Sequence, residues 1–336
     1  MSGLDTYLVV GSGSIARRHI ANLKTLFPQA TVGCISASGK LLHSMDIGAD
    51  VFYPDLKDAL EYEPRFAIIA TPAPFHVQQA MALLDRNVPV LIEKPLTDCL
   101  KRFKWVENTF YAHQHHIEMA YNLRYMPSAI SVKNYIDQQV LGKIHAVMID
   151  VGQYLPDWRP NTDYRQNVSA SKTLGGGVLL ELSHELDYLT WFLGDFDHVF
   201  CLTHNTGTLD IDVEDVADAL MTRGDGLQVN IHLDFLQHKA FRTCKIIGEL
   251  GTITWDLLNN RMVLCLKSCQ EKIVFEDPMY DKNAMYLDEL SRFSRVAAGE
   301  LTPAITIQQG VKVLSLIEAM KYSATVKQMV SIGDFC

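Results

Sequence analysis

The chain is short of the features that mark several large classes of protein. Its 336 residues hold no apolar run near the ~18–20 residues that a membrane-spanning helix needs. It has no excess of positive charge. Against 39 aspartates and glutamates stand 30 lysines and arginines, a net charge of −9, so a broad polyanion-binding surface is not expected, and nucleic acid is not expected as a partner. Cysteine is sparse and odd in number: Cys34, Cys99, Cys201, Cys244, Cys265, Cys269 and Cys336 are scattered along the chain. That suits reduced thiols rather than a disulfide framework. Cys265 and Cys269 stand four apart, but no second pair completes a zinc site, and no metal is expected there. The opening MSGLDTYLVV has neither a basic segment nor a long apolar core, so no secretory signal is expected and the reading is cytoplasmic. Internal repeats, low-complexity segments and flexible linkers are also missing.

What is present is ordinary globular composition, with 48% hydrophobic and 21% charged residues. At about 150 residues per domain, the length predicts two domains. The first third alternates strand and helix. DTYLVV (5–10) is a short apolar strand, GSGSIA a glycine-rich turn, RRHIANLKTLF a helical pattern, and TVGCIS (31–36) a second strand. This is a βαβ unit in about 32 residues. Its turn carries Gly11, Gly13 and Ala16 in a G-x-G-x-x-A pattern. Gly11 permits the tight turn, Gly13 lets the backbone approach a pyrophosphate, and Ala16 keeps helix and strand close. The helix N-terminus then offers unpaired N–H groups to phosphates, and Ser14 and Ile15 of the turn are expected on the cofactor with them. A strand–turn–helix context makes this a dinucleotide site and not an isolated glycine turn.

The ribose-reading position lacks a carboxylate. The second strand ends at Ser36, followed by Ala37, Ser38, Gly39 and Lys40. An acid there would repel a 2′-phosphate, whereas Ser36, Ser38 and Lys40 tolerate or bind one, which favours NADP over NAD. The alternation continues with strands at DVFYP, FAIIA (66–70), VPVLIE (88–93) and IEMAYN. Between them lie helices at DLKDALEY, capped by Asp55, in the stretch TPAPFHVQQAMALLDRN, and over residues 96–116. The strands are almost wholly apolar, which predicts a parallel sheet covered on both faces. The dinucleotide domain is expected over residues 1–121.

Glu93-Lys94-Pro95 falls at the carboxyl end of a predicted parallel strand, the edge where open α/β sheets bind ligands. A lysine there can donate to a substrate oxygen. GSGSIARRH, ATPAPFH, VPVLIEKPL, YNLRY and GGGVLLELSHELDYLTWFLG occur in this order. Together they resemble the glucose–fructose oxidoreductase / inositol dehydrogenase / MocA family, and the resemblance covers nearly the whole chain. It implies that Lys94 stands by the nicotinamide and the substrate hydroxyl, within an EKP turn (Glu93, Lys94, Pro95) on the cofactor side, and that the Lys94–Pro95 peptide is cis. It places Thr71, Pro72 and His76 on the cofactor side as well.

From residue 122 the pattern changes. A helix (MPSAISVKNYIDQQV), a strand (KIHAVMIDVGQYL), a helix after Gly175-Gly176-Gly177, six strand-like runs and two closing helices predict an α+β domain. The expectation is a large, mostly antiparallel open sheet over residues 122–336, serving substrate binding and oligomerisation. The resemblance implies pairing through the open face, as a homodimer or homotetramer. Glu181, His184 and Asp187 are spaced i, i+3, i+6 on the predicted helix and form one polar stripe. Histidine titrates in the range needed to take an alcohol's proton as hydride leaves its carbon, and Asp187 is suited to anchor a sugar hydroxyl. The family helix carries its acid four residues before this histidine. Here Glu181 stands three before, so Glu181 is placed only at the site's edge.

Tyr121, Asn122, Arg124 and Tyr125 are expected at the cleft between the domains, and Asn122 and Arg124 resemble the family's N-x-R substrate segment. In the loop LPDWRPNTDYR, Trp158 and Tyr164 are suited to stacking, and Arg159 and Arg165 to holding a carboxylate or diphosphate. This version of the loop resembles the branch associated with bacterial surface-sugar biosynthesis, which implies a sugar nucleotide or acylated amino sugar as substrate. His113, His115 and His116 are read as solvent-exposed rather than metal-binding. The expected protein is a nicotinamide-dependent oxidoreductase with Lys94, His184 and Asp187 as its catalytic group. Two alternatives stay open: a dinucleotide-binding regulator of the same fold, and a reductase of a non-sugar carbonyl or imine.

Overall fold

A computed structural model of the chain describes residues 5–36, 47–267 and 270–335. The chain opens with β1 (Thr6–Val10), α1 (Ser14–Leu26), β2 (Thr31–Ile35), β3 (Val51–Tyr53), α2 (Leu56–Leu60) and β4 (Phe66–Ile69). It continues with α3 (His76–Leu84), β5 (Val90–Glu93), α4 (Leu100–Lys104), α5 (Glu107–Ala112) and β6 (Ile117–Ala120). All six strands pair in parallel in the order β3-β2-β1-β4-β5-β6. Every residue of β4, β5 and β6 is buried, as a sheet covered on both faces requires. Ala16, Ile20 and Leu23 of α1 fall on one helical face and are buried. Asp55 caps α2 by accepting the Asp58 N–H at 2.9 Å. The one long helix expected over residues 96–116 is instead α4, α5 and a tight 3-10 turn, Gln114–His116. The break at Val106 lets Phe103 and Phe110 both reach the interior, where their rings meet edge to face at 5.6 Å.

The next elements are α6 (Pro127–Asp137), β7 (Ile144–Gly152), α7 (Val178–Glu181), α8 (His184–Leu193), β8 (His198–His204), β9 (Val216–Thr222) and β10 (Gln228–Asp234). Then come β11 (Phe241–Gly248), β12 (Gly251–Asp256), β13 (Arg261–Leu266), β14 (Lys272–Glu276), α9 (Ala284–Ala297), α10 (Ile307–Val326) and β15 (Val330–Ser331). Nine of these strands form a second sheet in the order β14-β13-β12-β11-β7-β10-β9-β8-β15, antiparallel throughout except for the β7–β10 pair. Alternation sets its two faces. Val147, Ile149, Ile231, Leu233, Ile246, Ile253 and Trp255 are buried, and the Trp255 indole N–H donates to Ser128 Oγ of α6 at 2.8 Å. Met148, between Val147 and Ile149, lies on the opposite face and is exposed.

The chain forms two compact units, and their boundary differs from the sequence expectation of one second domain over 122–336. The first unit runs to Asn122 and takes in Lys282–Val311, while the second holds Leu123–Asp281 and the chain from Lys312 onward. The cause is the apolar face of α9. Leu290, Phe293 and Val296 are buried in the same core as Tyr7, Val9, Phe66, Ile68 and Leu91, and each such side chain contributes about 1.5–3 kcal/mol. Phe293 meets Phe66 edge to face at 5.2 Å, and the Asn22 and Asn283 amides exchange hydrogen bonds at 3.2 and 2.8 Å. Among the described residues no helix is long and apolar enough to cross a membrane.

Candidate active site

The strand order of the first sheet places a topological switch point between β1 and β4, where open parallel sheets bind ligands beyond their carboxyl ends. Gly11 follows β1 there with φ +127°, and a Cβ on it would lie 2.4 Å from the Ala70 carbonyl oxygen. Only glycine meets both conditions. Gly13 differs: its φ is −72°, and a Cβ would meet nothing within 4 Å. Its backbone is therefore open to a ligand. Gly13 and Ser14 are exposed and Ile15 is half-buried, while Ala16 is buried beneath them. Among the described residues no acid stands in the first turn of α1, so nothing there opposes a pyrophosphate at the helix N-terminus. These residues fit a dinucleotide. Ser36 closes β2 and is nearly buried. Ser38 and Lys40, the other two residues expected to read the ribose, lie outside the described residues.

Farther along the same edge, β4 leads into Thr71 and Pro72, and β5 into Lys94 and Pro95. The Lys94–Pro95 peptide is cis. Lys94 is half-buried. The Glu93 carboxylate turns inward: one oxygen lies 2.7 Å from His19 Nε2, and the other accepts the Lys94 backbone N–H at 3.2 Å. Thr71 Oγ1 donates to Gln79 Oε1 at 2.6 Å. His76 is buried, so it does not reach the surface that Thr71 and Lys94 border. Its Nδ1 and Nε2 lie 2.9 and 2.6 Å from the carbonyl oxygens of Pro95 and Thr71. Asn122, after β6, is buried and bonded to the Tyr286 side chain; Tyr121 is fully buried.

In the second unit the expected single helix after the three glycines is interrupted. The chain winds α7, tightens at Leu182–Ser183, where the Glu185 N–H reaches back three residues to the Leu182 carbonyl, and restarts as α8 at His184. Glu181 and His184 therefore lie on two helices and not on one stripe. Glu181 accepts from Ser169 Oγ at 3.1 Å. His184 is half-buried at the first position of α8. Asp187 is fully buried, and Arg124 takes both its oxygens, at 2.7 and 2.9 Å, while lying 5.4 Å over the Trp191 ring. Burial pushes the Asp187 carboxyl up against the pull of Arg124.

The loop residues are engaged within the protein. The Trp158 indole N–H donates to the Gln153 carbonyl at 3.0 Å, and its ring meets Phe235 edge on at 5.3 Å. The Tyr164 hydroxyl accepts the Asp210 N–H at 3.2 Å. Arg165 is exposed and grips Asp163 with two hydrogen bonds of 2.8 Å, with Asp210 at 3.5 Å. Arg159 is half-buried. His115 and His116 are exposed, and His113 Nδ1 bonds the Thr109 carbonyl at 2.9 Å.

Sequence reasoning passed over three positions. His19 lies on the buried face of α1 and binds Glu93; the signal was a histidine amid Ala16, Ile20 and Leu23. Glu185, fully buried next to His184, accepts from Arg242 at 2.7 Å; nothing in the sequence joins residues 57 apart. Glu214 accepts the Leu179 N–H at 3.3 Å at the start of α7. A Cβ on Gly177 (φ +101°) would lie 2.3 Å from that carboxylate, so glycine is required there.

The parallel sheet and its glycine turn define a Rossmann-type dinucleotide-binding protein with a second, mostly antiparallel unit. Comparison with known families is more specific. Residues 6–121 match the oxidoreductase family with NAD-binding Rossmann fold, and residues 130–254 match the GFO/IDH/MocA C-terminal domain. The two matches span well over half of the chain, and the chain belongs to the GFO/IDH/MocA family. It is a nicotinamide-dependent oxidoreductase. An inositol 2-dehydrogenase of Rubrobacter xylanophilus is 24% identical over 265 residues, 76% of this chain and 72% of that one. A levoglucosan dehydrogenase solved with NADH and L-sorbose superposes with a TM-score of 0.85 at 17% identity, covering 98% of this chain and 99% of that one. The WlbA dehydrogenase of Bordetella pertussis, solved with NADH and UDP-GlcNAcA, gives a TM-score of 0.77 at 20% identity over 98% of this chain and 99% of that one. At these identities the structural likeness speaks for the fold.

Proposed function

We propose that the protein moves a hydride between the carbinol carbon of a sugar-type substrate and a nicotinamide cofactor. The observation that carries this reading is the Glu93–Lys94–Pro95 turn, which puts a half-buried lysine on the same sheet edge as Gly11 and Thr71. A bound nicotinamide supplies hydride exchange at its C4. Gly11, Gly13, Ser14, Ile15 and Ala16 hold the pyrophosphate, and Thr71, Pro72 and the EKP turn border the nicotinamide end. Lys94 donates to the substrate oxygen, which bears negative charge as its proton is removed in oxidation and as hydride reaches the carbonyl carbon in reduction. His184 takes the hydroxyl proton in oxidation and returns it in reduction. Asp187, with both oxygens on Arg124, serves by holding that arginine and not by touching substrate.

The names of the curated relatives support a polyhydroxylated substrate. A sugar nucleotide or acylated amino sugar is the finer proposal, supported by Trp158, Arg159, Tyr164 and Arg165 in the loop after β7. Asn122 and Glu181 belong to the edge of the substrate side. Ser36 in place of an acid supports NADP over NAD. Exposed Met148, Leu202, Phe241 and Ile273 on strands of the second sheet support a homodimer or homotetramer formed through its open face.

The test is titration of the purified protein with NADH and NADPH by nicotinamide fluorescence. A panel of myo-inositol, levoglucosan and UDP-sugars is then followed at the reduced-nicotinamide absorbance band. Cofactor binding with turnover on one substrate class is expected. Lys94→Ala should lower kcat at least about tenfold while cofactor affinity changes little. Loss of both together, or no binding of either cofactor, would sink the assignment.

A further inference from the structure

Lys94 stands between two residues that are each held from behind by a buried histidine. On one side, His19 Nε2 lies 2.7 Å from the Glu93 carboxylate, whose other oxygen accepts the Lys94 N–H. On the other, His76 Nδ1 lies 2.9 Å from the Pro95 carbonyl oxygen. Neither ring can reach a ligand, since His19 is 0% and His76 1% exposed. Both reach beyond the EKP turn. His19 belongs to α1, the helix opened by the glycine loop. The second ring nitrogen of His76 lies 2.6 Å from the Thr71 carbonyl oxygen, in the turn after β4. The helix after β1 and the turns after β4 and β5 are thus joined through two imidazoles.

We propose that His19 and His76 are positioning residues for Lys94, gripping the residues on either side of it and tying the EKP turn to the glycine-loop helix and to the Thr71–Pro72 turn. The lysine's role rests on the function proposed above; the brace itself rests on the distances. A lysine has four rotatable side-chain bonds, so its aim depends on how firmly its backbone is held. A displacement of about 1 Å at a reacting group can cost about a hundredfold in rate. Burial pushes the His76 ring below its ordinary titration range, against the pull of the two carbonyl oxygens beside its nitrogens. A glutamine amide also supplies N–H to a carbonyl, so His76→Gln is the conservative replacement and His76→Ala the severing one.

Two readouts test this. The first needs no turnover: the rate at which Lys94 is acylated by an amine-reactive reagent, read by peptide mass spectrometry, with exposed Lys312 as internal reference. His76→Ala and His19→Ala should each change the Lys94 rate at least about threefold relative to Lys312. The second is a double-mutant cycle with Lys94→Ala, run on whichever panel substrate is turned over. His76→Ala should lower kcat about tenfold or more with Lys94 present and less than twofold without it. NADH affinity should change less than threefold, and His76→Gln should restore most of the rate. Equal losses in both backgrounds, with unchanged Lys94 labelling, would make the histidines merely structural and overturn the proposal. If His76→Ala does not fold, His76→Leu and His19→Leu, which fill the space without any hydrogen-bonding group, carry both measurements, and wild-type labelling and kcat in both would overturn it. If Lys94→Ala leaves turnover intact, the catalytic assignment of Lys94 fails, while the labelling still decides whether the brace exists.

Discussion

Arg124 and Asp187 form a bidentate pair, with guanidinium N–H groups 2.7 and 2.9 Å from the two carboxylate oxygens and side-chain exposures of 6% and 0%. The pair joins the turn before α6 to the first turn of α8, three residues past His184. Arg242 holds Glu185, the residue next to His184, from β11. The start of α8 is thus pinned at two of its first four positions by arginines from distant parts of the chain.

Truncating one member of a buried pair leaves the other charge uncompensated and costs about 3–5 kcal/mol. Asp187→Ala is expected to lose stability in that range in denaturant unfolding, and Arg124→Lys to lose bidentate geometry and most activity. The double variant Arg124→Met/Asp187→Leu should recover most of the stability but not the turnover. Recovery of turnover as well would show the pair to be scaffold alone.

The two glycines of the turn separate folding from binding. Gly11→Ala forces a side chain to φ +127° and to 2.4 Å from the Ala70 oxygen, a strain of about 1–3 kcal/mol or more, so thermal unfolding should shift down. Gly13→Ala has an ordinary φ and empty space; its stability should stay within about 0.5 kcal/mol of the parent. Its dinucleotide affinity should nonetheless fall by about tenfold or more, because the Cβ occupies the path by which a pyrophosphate approaches the backbone. Calorimetry of unfolding and fluorescence titration of each variant decide this.

Much of this edge was legible because its signals are local. Gly11, Gly13 and Ala16 fall within six consecutive residues, and strand–turn–helix is a pattern of one stretch of chain. Alternating apolar runs likewise gave β7 to β13. What stayed hidden depends on contacts across long separations. The union of α9 with the first core is a matter of Phe293 meeting Phe66, and an amphipathic helix near residue 290 does not say which core it covers. The histidine helix read as continuous because Leu, Val and Trp keep helical spacing through it, whereas the tightening at Leu182–Ser183 is a backbone event with no residue that breaks helices. β14 and the two-residue β15 are short edge strands with little alternation to read.

Ser36 gives a direct handle on cofactor choice. An aspartate in its place would put a negative charge at the end of β2, where it favours the ribose 2′-hydroxyl and repels a 2′-phosphate. Ser36→Asp is expected to weaken NADPH at least about tenfold relative to NADH, measured as the ratio of dissociation constants. An unchanged ratio would place the 2′-recognition elsewhere.

Glu289 of α9 is fully buried, and neither carboxyl oxygen has a hydrogen-bond partner among the described residues. Burial raises its pKa well above the ordinary glutamate range, and repulsion from Glu93 and Glu118 adds to the rise. Arg292 stands 3.7 Å from Glu118, and His19 Nε2 2.7 Å from Glu93. Because its folded pKa lies above its unfolded one, the folded protein keeps a proton that the unfolded chain releases. The stability linked to that proton is complete below the unfolded pKa, near 4.5, and is lost as pH rises toward the folded value, at up to about 1.4 kcal/mol per pH unit. Glu289→Gln keeps the shape and the neutral state without the titration. Its advantage over the parent in unfolding free energy should therefore grow steadily as pH is raised from 5 to 8. Parallel stability curves for the two proteins over that range would mean that Glu289 is ionised in the folded state.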